Sequence, residues 1–198
     1  MLIGTKTSLV DPNLGDGIVL FDEATGNFLG DFTPRIPELA APDDLTFGPD
    51  GNLYVSVGGS SDLNLFAPNY PQNSAILRFS LSGEYLGMFA TSDLLRRPYG
   101  NAFGPDGNLY VASFRTNQIL RFNGTNGAFI DVFASDINNG LGSINGLNGP
   151  NGLLFGPDGS LYVTTQGSAN TTSGDLSFAY SSQVLRYTPE QVLGIIAD

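Results

Sequence analysis

The chain has 198 residues, enough for one domain with a real core, and its 26 Gly and 12 Pro beside only 14% charged residues point to short strands joined by many turns. With 19 acidic against 8 basic residues the net charge is −11, a field that repels nucleic-acid phosphates and anionic lipid headgroups. Cysteine and histidine are both absent, which excludes disulfides, thiolate catalysis and zinc held on sulfur or imidazole, and no run approaches the roughly 18 apolar residues of a membrane span.

From the N-terminus, "MLIGTK" reads as a second strand of a repeat, "GIVLF" from Gly17 as a third and "GNFLGDF" from Gly26 as a fourth, so the chain opens inside a repeat. The next unit is complete. "PDDLTF" from Pro42 is a first strand and "FGPDGNLYV", Phe47 to Val55, is a turn followed by a second. A variable stretch from Gly58 then leads to "AILRF" from Ala75 and "GEYLGMF" from Gly83. The same order returns as "PYGNAF" from Pro98, "FGPDGNLYV" from Phe103, "QILRF" from Gln118 and "GAFIDVF" from Gly127. It returns once more as "PNGLLF" from Pro150, "FGPDGSLYV" from Phe155 and "QVLRY" from Gln183. In each "GPDG" the proline presets φ, the aspartate bonds its own backbone and the closing glycine accepts positive φ. The tail departs from the pattern, since Thr188, Pro189 and Gln191 are the cap, first-turn proline and capping-box partner of a short helix.

Four antiparallel strands per repeat make one blade of a β-propeller. The fold class is therefore all-β, a single propeller domain over residues 1–198, with repeats near 1–33, 42–90, 98–133 and 150–198. About four blades result, the first and last incomplete. Such a chain closes with a strand supplied from elsewhere, belongs to a longer protein, or pairs with a second chain in a larger ring. A fragment of a larger propeller is the favoured expectation, because open sheet edges at both ends invite self-association.

"PNGLLFGPDGSLYV", with "ILRF" and the Gly-x-(Tyr/Phe)-(Leu/Ile) that follows it, resembles the NHL-type repeats and the propeller repeats of the streptogramin-lyase and gluconolactonase (regucalcin-like) families. The resemblance runs from Met1 to about Tyr187 and specifies a fold far better than a reaction. Streptogramin-lyase chemistry, as the resemblance implies it, needs histidine beside a divalent metal, which this chain lacks. RNA-binding NHL domains use a basic face, and Lys6 with seven arginines does not make one. The gluconolactonase resemblance implies a divalent ion held by carboxylate and Asn side chains ahead of the inner strands. Asn151 lies in the matching "PNG", Asp43 and Tyr99 take the equivalent places in their repeats, and Asp44 and Asn101 stand nearby. Asp43, Asp44, Asn101 and Asn151 are thus the candidate ligands for Ca²⁺ or another divalent cation, and in a lactonase one carboxylate would serve as base for a metal-bound water. The family's N-terminal Glu ligand and its later Asp ligand have no assignable counterpart. The competing reading is that Asp43, Asp44 and Asn151 bond backbone amides where their strands begin.

Arg78, Arg121 and Arg186 recur at one place in the third strand, where packing between blades with a bond to a carboxylate or turn carbonyl is expected. Tyr54, Tyr110 and Tyr162 recur in the second strand and read as repeat packing. Arg96 and Arg97, directly before Pro98 and Tyr99, are the candidate clamp for a carboxylate or sugar acid. The Gly-, Ser- and Asn-rich stretches beginning at Gly58, Ile137 and Gln166 are where specificity is expected. They hold no Ser-His-Asp set, phosphate loop or EF-hand spacing, and the sequons at Asn123 and Asn170 matter only in a glycosylating host. The expectation is a non-enzymatic binding or scaffold module without a catalytic residue. It would recognise a protein or carbohydrate, with no nucleic-acid partner and no membrane insertion, and be extracellular or periplasmic in a bacterium although no signal peptide is visible. A divalent-metal-dependent lactonase is the alternative.

Overall fold

The computed structural model describes residues 1–5, 16–58, 74–135, 147–166, 169–170, 177–178 and 182–193. These divide into two compact units, Met1–Pro98 and Tyr99–Asp198.

The first unit holds two antiparallel sheets. β1 (Leu2–Thr5), β2 (Gly17–Phe21) and β3 (Phe28–Asp31) form one in that order. β4 (Pro42–Phe47), β5 (Leu53–Val57), β6 (Ala75–Phe79) and β7 (Tyr85–Ala90) form the other, again in chain order. This up-and-down order follows from short turns, in which Gly48 N–H bonds Asn52 O at 2.9 Å and Gly51 N–H bonds Gly48 O at 3.0 Å while Gly51 takes φ +79°. Alternation along β6 sends Leu77 and Phe79 to one face and Ile76 and Arg78 to the other. The first face, with Leu53, Val55 and Val57 from β5, packs on Ile18, Phe32, Ile36 and Leu39 of the preceding blade's side. We call this the trailing face of a blade and the opposite one its leading face.

The second unit repeats the plan. β8 (Pro98–Phe103), β9 (Leu109–Ser113), β10 (Gln118–Phe122) and β11 (Phe129–Ser135) make a four-stranded sheet. β12 (Pro150–Phe155), β13 (Leu161–Thr165) and β16 (Val184–Tyr187) make a three-stranded one. Between β13 and β16, where sequence alone gives a loop, β14 (Ala169–Asn170) pairs with β15 (Ser177–Phe178) in a two-residue ladder. Tyr110, Ala112 and Ile119 on the leading face of the four-stranded blade meet Leu161, Val163, Leu185 and Tyr187 on the trailing face of the next. A short helix, α1 (Pro189–Leu193), follows β16 as the capping pattern requires, with Thr188 N–H bonded to Gln191 Oε1 at 2.8 Å. It buries Val192 in the same core. The repeat reading and the architecture therefore coincide, sheet by sheet.

Candidate functional site

Antiparallel pairing places the start of each first strand beside the second-to-third-strand connection of its own blade. Pro42 pairs with Val57, and Pro150 with Thr165. The variable stretches and all seven candidate residues consequently belong to one end of the blades, and the "GPDG" turns to the other. Nearly all of the three variable stretches lies outside the described residues.

Two features shape that end. The first is a bulge: pairing jumps from Pro42↔Val57 to Leu45↔Val55, and from Pro150↔Thr165 to Leu153↔Val163. Asp43 and Asp44 in one blade, and Asn151 and Gly152 in the other, are the two residues facing one, an arrangement that re-aims side chains at the end of a ladder. In the second case the bulge leaves Gly152 N–H off the ladder and Thr164 Oγ1 accepts it at 2.9 Å. The second feature is a left-handed residue immediately before the proline: Ala41 at φ +52°, Arg97 at +53° and Gly149 at +59°. Each is held by a side-chain oxygen from the residue that precedes the third strand of the blade before it. Asp16 Oδ2 accepts Ala41 N–H at 2.6 Å, Ser74 Oγ accepts Arg97 N–H at 3.0 Å, and Asn117 Oδ1 accepts Gly149 N–H at 2.9 Å. Sequence inspection missed this brace, because three different acceptors (Asp, Ser, Asn) do one job; their shared position, one residue ahead of the third strand, was the available signal.

Asp43 and Asp44 sit half-buried side by side in the β4 bulge. A Cβ added to Gly58 would stand 3.7 Å from Asp43 Oδ2. Asn101 is fully buried in β8, and Asn151 is half-buried in β12. These two strands run close together, since a Cβ at Gly100 would lie 2.5 Å from Asn151 O and 2.7 Å from Leu153 N. Tyr99 packs edge-on against Phe114, ring centroids 5.0 Å apart. Arg96 directs a guanidinium N–H to its neighbour's carbonyl, Leu95 O, at 3.4 Å, whereas Arg97 serves the fold through its backbone. The first unit thus offers two adjacent carboxylates and the second two carboxamides. Among the described residues no three Asp or Glu gather as a cation site. Within either unit this donor set does not fit Ca²⁺, which takes 6–8 oxygens.

At the opposite end the repeat builds a different network. Asp50, Asp106 and Asp158 of the three "GPDG" turns accept the tyrosine hydroxyl four residues on, from Tyr54 at 3.0 Å, Tyr110 at 2.9 Å and Tyr162 at 3.3 Å. Arg186 bonds Asp158 at 2.8 Å, and Arg121 grips Asp131 of β11 with two N–H groups while standing 3.9 Å from Asp106. Arg121 Nη1 also reaches Val192 O of α1 at 3.4 Å. The recurring arginines therefore bond mainly within their own blade. Burial pushes the Tyr110 hydroxyl up to about 12. The backbone N–H and hydroxyl of Ser160, with Arg186, bring Asp158 down to about 2. Burial opposes ionisation of Asp50, but hydrogen bonds from Asn52 and Tyr54 outweigh it and the net shift is downward. With carboxylate, phenol and guanidinium committed to one another, this end is scaffold.

No family model and no curated protein sequence matches the chain. Solved structures do. A luciferin-regenerating enzyme superposes with a TM-score of 0.60 at 17% identity, over 94% of this chain and 57% of the other. A gluconolactonase from Xanthomonas campestris gives 0.56 at 22% identity over 88% and 52%. Virginiamycin B lyase from Staphylococcus aureus gives 0.53 at 19% identity over 86% and 48%. The chain spans about half the length of these structures, and at such identities the likeness shows the fold alone: β-propeller blades of the gluconolactonase and streptogramin-lyase kind.

Proposed function

We propose that this protein is a non-enzymatic propeller module that binds a protein or carbohydrate at the loop-bearing end of its blades. One observation carries the reading: the two ends of each blade are built differently. The "GPDG" end is closed by Asp–Tyr hydrogen bonds joined by arginine, whereas the other end gathers the variable stretches onto rigid sheet, the usual placing of recognition residues. The net charge of −11 favours a neutral or cationic partner. An export-dependent, extracellular or periplasmic setting goes with the proposal.

A second reading, a divalent-metal-dependent lactonase, draws on the matching bulges at Asp43–Asp44 and Asn151–Gly152 and on the gluconolactonase among the structural neighbours. One experiment separates the two. The chelator-treated protein is titrated calorimetrically with Ca²⁺ and with Mg²⁺, then assayed for sugar-lactone hydrolysis with each ion, alongside Asn151→Ala and Asp43→Ala. The binding-module reading expects no turnover above buffer with either ion. Turnover that needs the ion and is lost in both variants would overturn it in favour of the lactonase. A glycan and peptide array probed with the intact chain, and with a chain whose 59–73 stretch is replaced by a Gly-Ser linker, supplies the positive test. Signal should be confined to the intact chain.

A further inference from the structure

The two packed interfaces inside the units define what a blade face needs. A trailing face is covered when the preceding blade's leading face lies on it, as with Leu53, Val55, Leu77 and Phe79 against Ile18. A leading face is covered in the same way, as with Tyr110, Ala112 and Ile119 against Leu161 and Val163. One face of each kind is left open.

On the β12–β13–β16 blade the leading face is uncovered. Val184 is 68% exposed, although Ile119 at the same place in β10 is 0% exposed. Leu154 beside it is 67% exposed, and Arg186 shows 52% of its side chain where Arg121 shows 21%. The pattern holds along the strand, since Thr164 is exposed where Ala112 is buried. On the β1–β2–β3 blade the trailing face is uncovered. Phe28 is 61% exposed and Met1 60%, and Ile3, paired with Val19, is exposed where the corresponding Val55 is fully buried. Met1 occupies the place of Leu53, because its backbone bonds Phe21 as Leu53 pairs with Phe79. Both open faces keep the apolar side chains that their buried counterparts use for packing, in sheets whose other face already forms part of a core.

We propose that these faces cover one another between copies of the chain. The Leu154–Val184 face of one copy docks on the Met1–Ile3–Phe28 face of a second, in the leading-on-trailing order that both internal interfaces follow. Several points select a second copy as the occupant. The two faces are of opposite kind, so the chain carries both halves of one interface, and a leading face has a repeat-matched partner only in a trailing face. The chain spans about half the length of the propellers it superposes on, 57%, 52% and 48%, so two copies supply a comparable number of blades. The contact is heterologous, with different patches meeting.

The test is the mass of the purified chain by light scattering across a concentration series, for the wild type, Val184→Asp and Phe28→Asp. Circular dichroism confirms that each variant is folded. The wild type should run at twice the mass of one chain or more. Either carboxylate, buried without a partner, should weaken self-association by at least about tenfold. Mixing the two variants should restore association, because the intact leading face of Phe28→Asp meets the intact trailing face of Val184→Asp. A wild type that stays monomeric would overturn the proposal and leave another polypeptide to cover the faces. An oligomer that both substitutions leave unchanged, or that the mixture does not restore, would overturn it equally.

Discussion

Gly100→Ala puts the architecture of the loop-bearing end to the sharpest test. Gly100 does not need positive φ; it is required because a Cβ there would meet backbone on two sides, with Asn151 O at 2.5 Å, Leu153 N at 2.7 Å and Gly152 Cα at 3.0 Å. Relieving these overlaps means moving β8 and β12 apart by roughly half an ångström, and no rotamer change helps when the obstacles are main chain. Overpacking of this kind costs about 1–3 kcal/mol, and the upper part of that range applies because several contacts fail together. In a chain of this size each kcal/mol lowers Tm by about 2–4 °C, so a loss of about 5–10 °C is expected by circular dichroism. Gly152→Ala is the control. Its Cβ meets only Thr164 Oγ1, at 3.0 Å, and that side chain can turn away at the loss of one hydrogen bond, about 1 kcal/mol. A Gly100→Ala protein melting within about 1 °C of the wild type would show that the two strands do not approach as described, and the placement of Asn101 beside Asn151 would fall with it.

The left-handed residues before Pro42, Pro98 and Pro150 give a matched set: Gly149→Ala should destabilise by about 1 kcal/mol, while Ala41→Gly and Arg97→Gly should be neutral or stabilising by a few tenths, read from urea midpoints. Uniform destabilisation by all three would refute the shared conformation. Acid stability should fall in a defined window. With its folded pKa at about 2 against an unfolded value near 4, Asp158 takes up its proton first in the unfolded chain. Its contribution is complete above about pH 4 and lost as pH drops through 2. Asp50 is lowered and acts in the same direction; Asp158→Asn should flatten the slope of urea midpoint against pH between 2 and 4. Tyr110→Phe removes the hydroxyl that bonds Asp106 at 2.9 Å and should cost about 1–2 kcal/mol in a urea melt, without changing any ligand bound at the opposite end.

The strands were legible because each carries its own signal. Alternating "NLYV" and "ILRF" segments separated by a proline-and-glycine turn leave little choice of period, and Thr188 and Gln191 announced the helix. The arginines were legible only halfway. Alternation put Arg121 opposite Leu120 and Phe122, but not that its carboxylate is Asp131 across the ladder, a pairing fixed by the bulges between β10 and β11. The bulges at Asp43–Asp44 and Asn151–Gly152 were hidden for a related reason. A bulge is a relation between two strands, and "PDDLTF" or "PNGLLF" read alone is an ordinary run of six.

The same reasoning explains why fold and function separate along this chain. In the "GPDG" turns one short stretch supplies the turn, the Asx bonds and the acceptor for the tyrosine hydroxyl, so the residues that make the scaffold must recur together; three copies of Asp four residues before Tyr are the direct result. At the loop-bearing end the backbone is held instead by a left-handed residue, a proline and any nearby side-chain oxygen, a role that Asp16, Ser74 and Asn117 fill equally well. Such a brace constrains the chain path and leaves Asp43, Asp44, Tyr99, Asn101 and Asn151 unconstrained by the repeat. That is why these positions differ from blade to blade while the turns do not, and why a search for what this protein binds belongs at that end.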